Sequence, residues 1–276
     1  MAAVLDLIRW RWVAAGALAG SARFLFAALA LIVASGRPLA VGRTAVSQLA
    51  STFASRLSLR GEGSTEVSTS YLCAAGMTTG EAREAVDLTR AAGVAVHTLA
   101  VALFSGAALA AGLRVVEPPR PAALVVVGLS VGVVAGIIGW LPSSRRRLAR
   151  AALRRLRLLR RLAGDRRRGV RLLASQIGLT GSLAAAFVAS VQATSGSTPM
   201  LATVALYLAA SALAASGPLP GGLGVIEPAL AAGLMVLGVA APPAVASVVL
   251  FRALTFWMPL LPAALAFRRL RRQGCC

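Results

Sequence analysis

Gly217-Pro218-Leu219-Pro220-Gly221-Gly222-Leu223-Gly224-Val225-Ile226-Glu227 interrupts two apolar segments, and Phe251-Arg252-Ala253-Leu254-Thr255-Phe256-Trp257-Met258-Pro259 follows about 25 residues later. Pro218 and Pro220 lack an amide N–H, and proline inside a helix costs about 3 kcal/mol. The run therefore predicts a helix break, not one helix from Met200 to Val239. Glycines here let the backbone approach a ligand or a facing helix, because no side chain intervenes. Glu227 and Arg252 are charges in otherwise apolar sequence. Such charges inside a bilayer pair with each other or line a polar path. Backbone freed by the break is tolerated only inside a bundle or along a wet cavity.

The bilayer is the expected solvent for the rest of the chain. Of 276 residues, 58% are hydrophobic and mean hydropathy is +0.78, far above a soluble domain. Runs close to the ~20 residues needed to span fall at about 13–35, 92–113, 121–141, 172–193, 199–216 and 244–267. Segments 42–59 and 225–239 are weaker: the first is sprinkled with polar residues, the second is short. The reading is an all-α polytopic bundle of about 6–8 membrane segments. It forms a single integral membrane domain over 1–276, with pseudo-halves about 1–141 and 172–276 joined by a basic segment, 142–171.

Every one of the 29 basic residues is Arg, against nine acids, for a net charge of +20. Without Lys there is no Walker A phosphate loop, so transport would be passive, gradient-coupled or partner-driven. Arg145–Arg171 holds 13 Arg, and Arg268, Arg269, Arg271 and Arg272 close the chain. The positive-inside rule makes both segments cytoplasmic. Counting eight crossings puts the N-terminus, with Arg9 and Arg11, inside too, in a bacterial inner membrane. On a helical wheel Arg146, Arg147, Arg150, Arg154, Arg157, Arg160 and Arg161 share one face, opposite Leu148, Ala152, Leu156, Leu159 and Leu162. That pattern fits a helix lying among anionic headgroups, or a loop that only sets topology. It lacks the aromatics of a nucleic-acid site. One His, a lone Cys73 and a terminal Cys pair supply no metal site, and no cofactor is expected. Three Asp and six Glu form no acid–base pair, so no catalytic residue is assigned.

The chain also reads as two copies of one plan. Gly61-x-Gly63-x-x-Glu66 resembles Gly222-x-Gly224-x-x-Glu227; Gly76 and Gly238 follow, then Arg90 and Arg252, at an offset of 161–162 residues. Transporters often carry such repeats, with broken helices meeting near the midplane. Short half-helices at 65–76 and 225–239 would then enter the membrane without crossing.

The spacing P-x-P-G-G-x-G-x-x-E…R-x-x-T-x-W-x-P resembles the transmembrane, flippase-like region of the lysylphosphatidylglycerol synthases and their stand-alone relatives, over roughly Arg23 to Arg272. Relatives show Asn-Arg and a Pro near the first motif where this chain has Ser55-Arg56 and Leu59; Leu219 and Pro228 are departures in the second. The resemblance implies movement of an anionic or aminoacylated phospholipid, or a polyprenyl-phosphate lipid, between leaflets. Pro220, Gly221, Gly222, Gly224, Glu227, Arg252, Trp257, Glu66, Arg90 and Arg56 would line the cavity, with Trp257 and Phe256 serving mainly as packing. No aminoacyltransferase domain follows before Cys276, so no aminoacyl transfer is assigned. The alternative is a non-transporting scaffold for an envelope glycosyl- or aminoacyltransferase. In either case membrane lipids are the surroundings. Glu227 and Arg252 would be a headgroup grip in the first reading and a structural clamp in the second. His97, on an apolar helix, is expected to hydrogen-bond within the bundle.

Overall fold

A computed structural model describes residues 8–58, 62–110, 165–196, 198–215 and 223–272. Among these residues the fold is entirely helical. In chain order the helices are α1 (Trp10–Ser35), α2 (Val41–Leu57), α3 (Gly63–Ala74), α4 (Thr79–Ala110), α5 (Arg166–Thr194), α6 (Met200–Ala215) and α7 (Ile226–Val236). The last, α8, runs Ala241–Arg252, turns through a π segment at Ala253–Trp257, and continues as Leu260–Arg272. Four of them (α1, α4, α5, α8) are long and apolar enough to cross a membrane. The run 121–141 and the basic face Arg146–Arg161 lie outside the described residues. Because α5 starts at Arg166, the second copy of the plan begins within the segment read as a connector, and Arg166, Arg167, Arg168 and Arg171 belong to that helix.

Short helices come in antiparallel pairs. Thr44 in the first turn of α2 hydrogen-bonds Tyr71 near the end of α3 (2.9 Å), and the side chain of Leu206 on α6 packs against Gly233 near the end of α7. At about 1.5 Å per residue, the 11 residues of α7 reach roughly 17 Å, about half the ~30 Å hydrocarbon core. Each pair therefore starts and finishes at one end of the bundle. Of the two readings of 225–239, a crossing or a half-helix that does not cross, the length of α7 fits the second.

The halves repeat in detail. α4 and α8 begin 162 residues apart, at Thr79 and Ala241. The turns before them match bond for bond. Met77 N–H donates to Leu72 C=O (3.2 Å) and Val239 N–H to Leu234 C=O (3.0 Å), while Gly76 and Gly238 adopt φ 85° and 87°. Positive φ is a conformation glycine adopts without steric cost, so both turns need glycine. The pairings follow the same symmetry: α2 packs on α8 and α6 on α4, around a central α1–α5 pair.

That central pair is antiparallel. Arg9 N–H at the start of α1 donates to Ala193 C=O at the end of α5 (3.1 Å). Reciprocally, Arg168 at the start of α5 donates from Nε to Val33 C=O (3.0 Å) and from Nη2 to Ala34 C=O (2.6 Å), satisfying carbonyls that the end of α1 leaves open. The two halves are thus inverted relative to each other. Arg9 and Arg11 lie at the opposite end of the bundle from Arg166–Arg171, which corrects the shared side expected for the two segments. Arg269 lies with Pro38, Arg43 and Ala75 around one cavity of about 560 Å³, so the end of α8 shares the face holding the start of α5.

Candidate functional site

α7 starts where its first carboxylate can be held. Glu227 sits in the first turn, and its Oε2 accepts a hydrogen bond from Gly224 N–H at 2.8 Å. A carboxylate there satisfies a free amide and meets the positive end of the helix dipole. Gly224 has φ 77°, which turns the chain out of the break and aims its N–H at the acid. The other oxygen, Oε1, pairs with Arg252 Nη2 at 2.6 Å. The Arg252 side chain is 12% exposed and that of Glu227 30%.

The second motif explains how Arg252 is aimed. Pro259 has no N–H to give the preceding turn, and its ring crowds the carbonyl four residues back. The helix answers with a π turn: Met258 N–H donates to Ala253 C=O, 2.8 Å. Thr255 Oγ1 donates to Phe251 C=O (2.7 Å). The wider turn leaves Phe256 buried and Trp257 60% exposed. Phe256 then serves two cations, with Arg56 stacked 3.9 Å from its ring centre and Arg252 at 5.4 Å. Trp257 lines a cavity of about 440 Å³ together with Glu227, Arg252, Pro228, Val245 and Val249. Trp257, expected both to line the cavity and to pack, forms part of the cavity wall. Behind the pair, Phe187, Tyr207 and Phe251 form a triangle of ring contacts at 5.3 to 5.9 Å, a rigid aromatic floor contributed by α5, α6 and α8.

One residue of this cluster escaped the sequence reading. Arg23 lies roughly 20 Å from either end of α1 at 1.5 Å per residue, over the ring of Phe24 (4.4 Å). It is within electrostatic reach of Arg56, as Arg56 is of Arg252, and Tyr207 senses both Arg23 and Arg252. Arg23 Nε and Nη2 and Arg56 Nη1 are buried without a hydrogen-bond partner. The signal was available: Arg23 is a lone charge at the centre of the 13–35 run.

The first-half residues are elsewhere. Arg90 donates to Ser64 Oγ (3.2 Å), whereas exposed Glu66 lines a separate cavity of about 600 Å³ with Glu62, Thr69 and Arg83. The matched turns have an offset of 162, which sets Thr65, not Glu66, opposite Glu227. One residue is about 100° around a helix, enough to turn the acid away. Grouping Glu66 and Arg90 with the second-half pair is therefore corrected. Pro220, Gly221 and Gly222 lie outside the described residues. His97 does tie two helices: its Nε2 lies 3.2 Å from Leu208 C=O and 3.3 Å from Ser211 Oγ, joining α4 to α6. Among the described residues no group of three or more His, Cys, Asp or Glu is placed to hold a metal ion.

Helices of spanning length, paired short helices and an ion pair define a multi-pass membrane protein. Residues 1–263 match the family model of the lysylphosphatidylglycerol synthase TM region, and the chain belongs to that family of membrane proteins with lipid-related function. The match begins ahead of Arg23, where the sequence resemblance began. No curated protein matches the chain.

Proposed function

We propose that this protein moves a phosphate-bearing lipid between leaflets, with the headgroup handled at Glu227 and Arg252. The observation that carries the reading is the ion pair itself, braced by Gly224 N–H and set in the wall of an open, otherwise apolar cavity. A guanidinium can grip a phosphate through two parallel hydrogen bonds. In the resting pair Glu227 occupies that fork. An arriving phosphate displaces the carboxylate, which keeps its bond to Gly224, and leaving restores the pair. Trp257, Val245 and Val249, all exposed, give the acyl chains a path beside the headgroup. Inverted halves support alternating exposure of such a site to the two faces.

In this reading the membrane is a bacterial inner membrane. The face bearing Arg37, Arg43, Arg166–Arg171 and Arg268–Arg272 is cytoplasmic by the positive-inside rule, and the N-terminus is external. The protein is a carrier, not an enzyme. A scaffold for an envelope transferase would favour a solid interior, and the cavity beside the pair argues for the carrier.

The test is a leaflet-resolved assay in proteoliposomes with a panel of fluorescent phospholipids and polyprenyl phosphates. Wild-type protein should speed the movement of at least one lipid, and Glu227→Gln or Arg252→Gln should slow it tenfold or more. Folded protein that accelerates none of them would refute the carrier reading and favour the scaffold.

A further inference from the structure

Arg23, Arg56 and Arg252 belong to α1, α2 and α8; Arg56 and Arg252 share the Phe256 ring at 3.9 and 5.4 Å, and α1 packs on the same π segment, with Gly20, one turn from Arg23, against Thr255. One carboxylate serves them. Glu227 is committed through one oxygen to Arg252 and through the other to Gly224. The other described acids lie on α3, on α4, before α3 or before α5. Three guanidinium charges against one carboxylate leave an excess of two. Buried like charges are retained only when something of opposite sign joins them. Arg23 Nε, Arg23 Nη2 and Arg56 Nη1 are buried without a hydrogen-bond partner.

We infer that Arg23, Arg56 and Arg252 form one cationic site for a lipid phosphomonoester, in preference to phosphodiester lipids such as phosphatidylglycerol. This rests on the lipid-handling reading above and narrows its substrate. A phosphomonoester carries about −1.5 to −2 at pH 7 and offers three terminal oxygens, which matches the charge excess and supplies acceptors to these buried nitrogens. A phosphodiester brings one charge and two free oxygens, and leaves one cation uncompensated. Free phosphate shares the chemistry but lacks the acyl chain.

The experiment uses the full chain in phosphatidylcholine nanodiscs, titrated calorimetrically with dioctanoyl phosphatidic acid, dioctanoyl phosphatidylglycerol and inorganic phosphate. At pH 7.5 phosphatidic acid should bind at least tenfold more tightly than either of the others. At pH 5 the monoester is largely a monoanion, its second pKa being about 6, and the ratio to phosphatidylglycerol should approach one. The groups around the site are Arg23, Arg56, Arg252, Glu227 and Tyr207. His97 contacts Ser211, one turn from Tyr207, so the pH series is repeated in His97→Gln. Arg23→Gln and Arg56→Gln should each bring the pH 7.5 ratio close to one, and Arg23→Lys should keep it. Equal affinities in wild type at pH 7.5, or a preference surviving both Gln variants, would overturn the inference while a positive leaflet assay leaves the carrier reading standing. Inorganic phosphate binding as tightly as phosphatidic acid would assign the site to a free ion and overturn it as a lipid site. If the Gln variants do not fold, the wild-type ratios and the Arg23→Lys variant decide.

Discussion

Replacing Arg23 with leucine should make the empty protein more stable. An arginine at the centre of a membrane helix is disfavoured by about 2.5–3.5 kcal/mol on insertion scales, and leucine there is favoured by about 0.5 kcal/mol. Against this stands the cation–π contact with Phe24 at 4.4 Å, worth roughly 0.5–2 kcal/mol. The Arg23 nitrogens Nε and Nη2 have no hydrogen bond to lose, and relief of repulsion from Arg56 favours the variant further. The balance is a gain of about 1–3 kcal/mol for Arg23→Leu. The measurement is unfolding of both proteins in phosphatidylcholine-containing micelles, without anionic lipid. Adding phosphatidic acid should then reverse the order, because a ligand at a hundredfold excess over its Kd stabilises by about 2.7 kcal/mol, and only wild type keeps the full site. A loss of 1 kcal/mol or more on Arg23→Leu in phosphatidylcholine alone would refute the reasoning, since it would mean that the guanidinium is a structural tie.

Glycine positions separate backbone strain from packing. Neither Gly238 nor Gly181 has an atom within 4 Å of a built Cβ, but Gly238 has φ 87° and Gly181 is in mid-helix. Gly238→Ala should cost about 1–2 kcal/mol, whereas Gly181→Ala should gain up to about 1 kcal/mol; opposite shifts in thermal unfolding check both. Inverted topology predicts labelling from opposite sides. In a variant with Cys73, Cys275 and Cys276 changed to Ser, a cysteine at Arg11 should react with an impermeant reagent on intact cells, and one at Arg167 only after permeabilisation. Labelling of both from the same side would contradict the antiparallel α1–α5 pair.

What the sequence made legible is what local rules control. Proline and glycine at 217–224 announced a new helix, and α7 begins at Ile226. Gly76 and Gly238 entered the reading as repeat markers, and the structure shows them to be positive-φ turns. Glu227 and Arg252 could be paired on paper because each is a charge with nowhere else to go. Direction was not legible. A hydropathy window reads a helix identically from either end, and 16 apolar residues in α6 look like a crossing until α7 is seen to return beside them. Counting both as crossings put Arg9 and Arg166–Arg171 at one end of the bundle, whereas the antiparallel α1–α5 pair puts them at opposite ends.

The misassigned Glu66 and the overlooked Arg23 have a common origin. A motif match tolerates a slip of one residue, but a helix does not: the G-x-G-x-x-E pattern aligned the acids at 161 while the hydrogen-bonded turns aligned at 162, and the difference turned Glu66 out of the cluster. Arg23 failed in the opposite way, because it has no counterpart motif and its charge is averaged away in a run of apolar neighbours. The first half therefore supplies the site with two cations, Arg23 and Arg56, and no acid, while the second supplies an acid and a cation held to each other. An exact repeat would have given each half its own closed ion pair. Here the asymmetry leaves positive charge over at the contact between the halves, and with it a demand for an anion that the described part of the chain does not meet.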